Sequence, residues 1–335
     1  MLLTKRGVQA LGLMTWFAAI VATGGAAAAD LQKIKIGIYA GTTLSLHTMV
    51  ASSEGFAEKE GLELELIAIP SGPQHVSALM SGQVDVAQAI GTVVYPAITR
   101  GEMDTVVLGA GRFDTQTLIA SPQASITHRG QPYPAAVGDL KGKTIGVVAR
   151  GGFLETYVAT MLGDAGLDPS KDVTWVSTGS TANNLAAFKA RQVDAVIVQP
   201  QDVILGFDSP EEYVPVTSAI DGTDGGILKF NIAAPAMASR EWHDGNPELV
   251  KKLCRALGAA ADWLARPNNP DAVTAAAKWL EMDEAKAKEL LQVEASRYDF
   301  RMPQDAWEGQ FVLLKDTPVL PYDRTVSSVC QTAIQ

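Results

Sequence analysis

The chain writes one phrase twice. Residues 84–90 read VDVAQAI after LMSGQ, and residues 193–199 read VDAVIVQ after FKARQ. The match extends backwards. Ser71 precedes Asp85 by fourteen residues, Ser180 precedes Asp194 by fourteen, and Ala78 and Leu79 stand where Ala187 and Phe188 do. Each copy has the same order of parts: strand, small polar loop, helix, short turn, strand. Strands that alternate with helices build βαβ units with right-handed crossovers. Two copies therefore predict two similar α/β lobes, each a doubly wound, mostly parallel sheet with helices on both faces.

Periodicity fills in the rest. KIKIGIYA (33–40), LELELIAI (62–69), VDVAQAI and DTVVLGAG (104–111) read as strands of the first lobe. LHTMVASSEGFAEKEG has helical spacing and stops at Gly61. After a Pro- and Gly-rich break the pattern restarts with LKGKTIGVVA (140–149), then VTWVS, VDAVIVQ and YVPVTSA (213–219). ILKFNIAAPAMAS (227–239) reads as a strand returning to the first lobe. A helical tail follows, with Asn246 before Pro247 and Asn269 before Pro270 as N-cap devices. The expected division is 30–115 plus 226–335 for lobe one with its C-terminal helices, and 116–225 for lobe two.

The first 29 residues carry a different signal. Lys5 and Arg6 precede an apolar run (10–22), and Ala27, Ala28 and Ala29 form a small-residue cleavage pattern before Asp30. A signal peptide cleaved near Ala29 and export to the periplasm are expected. A formal net charge of −10, with no run of Lys or Arg, argues against nucleic acid as a partner. Cys254 and Cys330 are the only cysteines. In an oxidising compartment they could bridge, and Cys254 could equally be a small buried hydrophobe.

In open α/β sheets, ligands bind beyond the carboxyl ends of the strands. Here those ends carry Thr42, Thr43, Ser71, Gly72, Gly91 and Thr92 in lobe one, and Gly151, Gly152, Thr178, Gly179, Ser180 and Gln199 in lobe two. Most of these loops precede helices, so free N–H groups and positive dipole ends would face a cleft between the lobes. A small anion suits such a site without a bound cation. For any single loop, ordinary turn chemistry is the better explanation, and the group carries more weight than any member.

EGFAEKEGLELEL, ALMSGQVDVAQA, LKGKTIGVVARGG and FKARQVDAVIVQP resemble the motifs of the nitrate/sulfonate/taurine-type periplasmic binding proteins of ABC importers. That superfamily includes binders of thiamine-precursor pyrimidines. The resemblance runs from residue 33 to the C-terminal helices. It implies a type II, two-lobed receptor that closes on a ligand by a hinge, with the crossings near 112–120 and 220–232. It also implies a membrane permease and an ATPase as partners, a monomer, and no cofactor. The loop residues above become ligand contacts, joined by Thr117 and Asn231 on the crossings.

Arg112 and Arg150 each follow a strand and could hold a carboxylate or sulfonate in a fork. Either could instead be a solvated or acid-paired arginine. His47 is a candidate donor at the cleft edge, with a helix-surface position as the plainer reading. Phe153 and Tyr95 could wall a ligand or pack in a core. Nothing points to catalysis or a metal. His47, His75, His128 and His243 are scattered without H-E-x-x-H spacing, and no G-x-S-x-G elbow occurs. The leading expectation is a solute receptor for a small anion such as a sulfonate. The alternatives are the same fold with a neutral or aromatic ligand, such as a pyrimidine, and a periplasmic sensor module.

Overall fold

The computed structural model describes residues 31–314 and 316–334. The expected signal peptide at 1–29 lies outside them. In chain order the strands are β1 (Gln32–Ile38), β2 (Leu62–Ala68), β3 (Val86–Gln88), β4 (Thr105–Gly109), β5 (Gly111–Arg112), β6 (Thr117–Ala120), β7 (Thr144–Val147), β8 (Thr174–Ser177), β9 (Ala195–Val198), β10 (Val214–Ser218), β11 (Ala236–Ser239) and β12 (Tyr298–Asp299). They form two five-stranded sheets, ordered β2-β1-β3-β11-β4 and β10-β6-β9-β7-β8, and a small β12-β5 pair.

Read from the other edge, the second order is β8-β7-β9-β6-β10, the counterpart of the first. In each sheet one strand runs against the other four. It is β11 in the first and β6 in the second, each arriving from a crossing between lobes. The sheets are thus mixed, with the parallel direction dominant.

The repeated phrase has a physical role. Asp85 accepts from the Lys35 backbone N–H at 2.8 Å, and Asp194 accepts from that of Thr144 at 2.8 Å. Both pairs are 50 residues apart. Each Asp ties the start of the third strand to the first strand. The turn just before is left-handed in both copies, at Gly82 (φ 71°) and at its counterpart Arg191 (φ 59°).

Strand alternation explains why both faces of each sheet are covered. Val86, Leu108, Ala236 and Ala238 pack on one face of the first sheet, and Ala87, Val107 and Met237 pack on the other. Ala195 and Ile197 face one way in the second sheet, and Val196 and Val198 face the opposite way. The long helix Pro247–Leu264 supplies much of the first lobe's outer core through Val250, Leu253, Leu257 and Ala261.

Several local expectations change. The helical pattern after β1 splits into Leu46–Ser53 and Phe56–Lys59, because Gly55 takes φ 75°. Only Ala236–Ser239 of the expected 227–239 strand is extended. Gly225 and Gly226 are both left-handed and turn the chain, and Leu228 joins the second lobe's core. Asn246 does not cap its helix, since its amide donates to the Trp242 carbonyl. Asn269 does cap, accepting from Ala272 N–H. Cys254 and Cys330 form a disulfide, with Cα atoms 5.3 Å apart, joining the long helix to the helix Ser328–Ala333. No helix among the described residues is long and apolar enough to cross a membrane.

Candidate ligand-binding site

The helices Gly72–Met80, Gly91–Thr99, Phe153–Asp164, Thr181–Lys189 and Pro200–Gly206 begin just after β2, β3, β7, β8 and β9. Their N-termini therefore sit at the carboxyl edges of the sheets. The two edges meet where the chain crosses between lobes.

Arg112 is the centre of that seam. It lies on β5 directly after Gly111, whose φ of 88° aims the chain over His47. A Cβ at Gly111 would stand 2.4 Å from the His47 ring, so the close approach requires glycine. The Arg112 side chain is 1% exposed. Its Nη1 donates to Thr115 Oγ1 at 2.6 Å and to Glu294 Oε1 at 3.3 Å. Its Nη2 donates to Gln199 Oε1 at 3.2 Å, across to the second lobe. Thr115 Oγ1 also donates to Glu294 Oε1, at 3.1 Å. Burial raises the Glu294 carboxyl above its ordinary range, opposed by the Arg112 charge.

The loops on either side close this seam. Gln201 Oε1 accepts from Thr43 N–H at 3.3 Å, and Gln201 Nε2 donates to the Gly41 carbonyl at 3.1 Å. Thr43 Oγ1 reaches Gln199 Oε1 at 3.5 Å. Thr42 turns back and donates to the Tyr39 carbonyl. Tyr298 holds the same loop through the Thr43 carbonyl, at 3.3 Å.

His47 lies beneath, fully buried rather than on a helix surface. Gln88 Nε2 donates to His47 Nε2 at 3.2 Å and to Thr48 Oγ1 at 3.1 Å. Burial, aided by the nearby Arg112 charge, lowers the His47 pKa to about 3. The imidazole is neutral at physiological pH. At the crossing, Asp114 is buried and accepts from Asn231 Nδ2 at 3.0 Å, and burial raises its carboxyl. Thr117 pairs by its backbone with Val198 and Ser218.

The sequence candidates thus separate. Thr43, His47, Arg112 and Gln199 come together, with Thr42 beside them and Asn231 clamping the crossing. Ser71 bonds to Gln74 within its own helix, and Gly72, Gly91 and Thr92 stand at helix starts. Tyr95 is core, packed on Trp307 and Phe311. Arg150 is an exposed partner of Glu155 at 2.9 Å and leans over Trp175. Glu155 also takes the Gly151 N–H at 2.6 Å. Gly152 caps the helix on which Phe153 stacks against Tyr157. Thr178 bonds to the Val147 carbonyl, Gly179 takes φ 81°, and Ser180 caps Asn183 N–H.

Glu294, Thr115, Gln88 and Gln201 escape sequence reasoning. Glu294 left one signal. Ala287, Leu290, Leu291 and Glu294 lie at i, i+3, i+4 and i+7 of one helix, so a carboxylate occupies an apolar stripe. A cavity of about 790 Å³ lies elsewhere, among the ends of C-terminal helices, lined by Leu264, Arg266, Asn269 and Lys288. Among the described residues, none of the buried polar atoms without partners belongs to its lining, whereas His47, Gln88, Arg112 and Glu294 at the seam each have one. Among the described residues no cluster of His, Cys, Asp and Glu is placed to hold a metal ion.

Comparison with known proteins agrees with this architecture. A Brucella abortus (strain 2308) protein, provisionally named a binding protein, is 28% identical over 265 residues, covering 77% of this chain and 75% of its own. The alkanesulfonate-binding protein SsuA from Xanthomonas axonopodis pv. citri, solved with MOPS, has TM-score 0.66 and 20% identity, covering 90% of this chain and all of its own. The periplasmic nitrate-binding protein NrtA from Synechocystis PCC 6803 has TM-score 0.67 and 16% identity, covering 91% of this chain and 88% of its own. The fold is that of a two-lobed periplasmic binding protein. Residues 27–281 match the NMT1-like family, and the chain belongs to that family.

Proposed function

We propose that this protein is the solute-binding receptor of an ABC importer. It is exported to the periplasm through its 1–29 segment, acts as a monomer and turns nothing over. The ligand lies between the lobes and delivery is to a membrane permease driven by an ATPase. The observation that carries this reading is the Arg112 seam. One buried guanidinium touches the crossing, the C-terminal helix and the second lobe at once. A ligand wedged there gains contacts from both lobes only when they close, so binding and closure are coupled.

The strand-edge helix N-termini favour a small oxyanion, sulfonate-like or a related organic acid. A neutral heteroaromatic ligand, such as a pyrimidine, is the second reading. It is favoured because Glu294 already neutralises Arg112.

A thermal-shift panel of sulfonates, nitrate, carboxylates and pyrimidines on residues 30–335 tests the proposal. A ligand at a hundred times its Kd adds about 2.7 kcal/mol of stability. The expected result is a hit of one-to-one stoichiometry, unchanged after incubation and lost in Arg112→Met. Consumption of the ligand would overturn the receptor reading in favour of an enzyme.

A further inference from the structure

The helix Glu284–Glu294 forms a wall of two separate places. Its last residue, Glu294, reaches Arg112 at the inter-lobe seam. Its Lys288, Leu291 and Gln292 instead line the cavity of about 790 Å³, whose other walls come from the end of Pro247–Leu264 and the start of Pro270–Trp279. The chain that leaves the helix is shared as well. Ala295 and Ser296 line the cavity, Arg297 Nη2 then donates to the Asp114 carbonyl at 2.8 Å, and Tyr298 pairs with Arg112. From the second lobe, Pro200–Gly206 rests on the same helix, with Ile204 against the core that holds Leu290 and Leu291.

The cavity has the size of a small-molecule site. Its floor is apolar, since Leu264, Ala272 and Leu291 are buried and Val273 is partly so. Its charged lining is Arg266, Lys288 and Glu284. Glu284 is occupied, accepting from Thr274 Oγ1 at 2.9 Å. Neither Arg266 nor Lys288 has a carboxylate partner among the described residues. A chain of net charge −10 thus places two free cations around one apolar floor. A small anion would use the cations and leave the floor bare. A purely apolar molecule would cover the floor and leave the cations unused. An amphiphilic anion uses both.

We infer that this cavity is a second ligand site, for a medium-chain carboxylate, and that its occupancy is felt at the seam. The carboxylate pairs with Arg266 and Lys288, and the alkyl chain covers Leu264, Val273 and Leu291. Filling the cavity braces one side of Glu284–Glu294, whose end holds Glu294 against Arg112. The site lies apart from the solute cleft, so it stands whatever solute the cleft takes.

Decanoate is the probe, with decanol and decylammonium as its neutral and cationic counterparts. Each is titrated below its micelle-forming concentration while amide resonances are followed. Decanoate is expected to bind one-to-one, with shifts centred on Val273, Lys288 and Gln292, at least tenfold tighter than either counterpart. Arg266→Gln with Lys288→Gln should remove that preference. Ala285→Trp, which fills the cavity from an exposed helix position, should abolish binding. All three substitutions are at exposed residues, and an unaltered Tm checks that the variants fold. With decanoate bound, hydrogen exchange should slow at Arg112 and Tyr298. No binding of decanoate, equal binding of the three probes, binding that Ala285→Trp leaves intact, or shifts centred on Thr43 and Gln199 overturns the site. Unchanged exchange at Arg112 and Tyr298 overturns its link to the seam.

Discussion

His47 makes the fold acid-sensitive in a calculable way. In the unfolded chain a histidine titrates near its ordinary 6.5, whereas burial lowers folded His47 to about 3 and folded His75 to about 4. Below pH 6.5 the unfolded chain binds protons that the folded chain refuses. Stability is therefore full above the unfolded value and is lost as pH falls toward the folded one. Both rings are without solvent exposure, so little of the effect is screened. Between pH 7.5 and 5.0 each histidine removes about 2 kcal/mol, from 1.5 pH units at 1.36 kcal/mol each. His47→Gln keeps an acceptor near Nε2 and deletes one titration. Urea unfolding at the two pH values isolates the effect, because the intrinsic penalty of the substitution cancels in the difference. The variant should lose about 2 kcal/mol less than wild type over this interval. An unchanged pH difference would refute the assignment of His47 as a buried neutral ring.

Three further perturbations follow from named contacts. Replacing Cys254 and Cys330 by Ala opens a loop with a sequence separation of 76 residues, and calorimetry should show a loss of about 4 kcal/mol. Asp85→Ala and Asp194→Ala each remove a carboxylate bond to a strand N–H, so each should destabilise its own lobe by about 1–2 kcal/mol, read by denaturation and local hydrogen exchange. Gly111→Ala forces a methyl group against His47 and an unfavourable φ, which should cost more than about 2 kcal/mol and shift the His47 ring resonances.

The repeat made the architecture legible because it fixes several independent features at once. Asp85 and Asp194, the left-handed turns at Gly82 and Arg191, and the alternation of strand side chains all depend on local sequence. The strand-edge rule led to Thr43, Arg112 and Gln199, since strand ends can be read from periodicity. What it left open were partners distant in sequence. Glu294 meets Arg112 across 182 residues, and only its place on an apolar helix stripe marked it. Arg150 could have been resolved locally, because Glu155 lies five residues on in the first turn of the following helix. The burial of His47 and the pairing of the cysteines depend on how the long C-terminal helix and the crossing pack, which no local pattern encodes.

The most direct test of the account is to map the binding site. Amide resonances are followed while the strongest ligand from the panel is titrated into the protein. The account predicts one-to-one shifts centred on Thr43, Arg112 and Gln199 at the inter-lobe seam, with the ligand recovered unchanged. Shifts confined to the cavity around Arg266, Asn269 and Lys288 would contradict it.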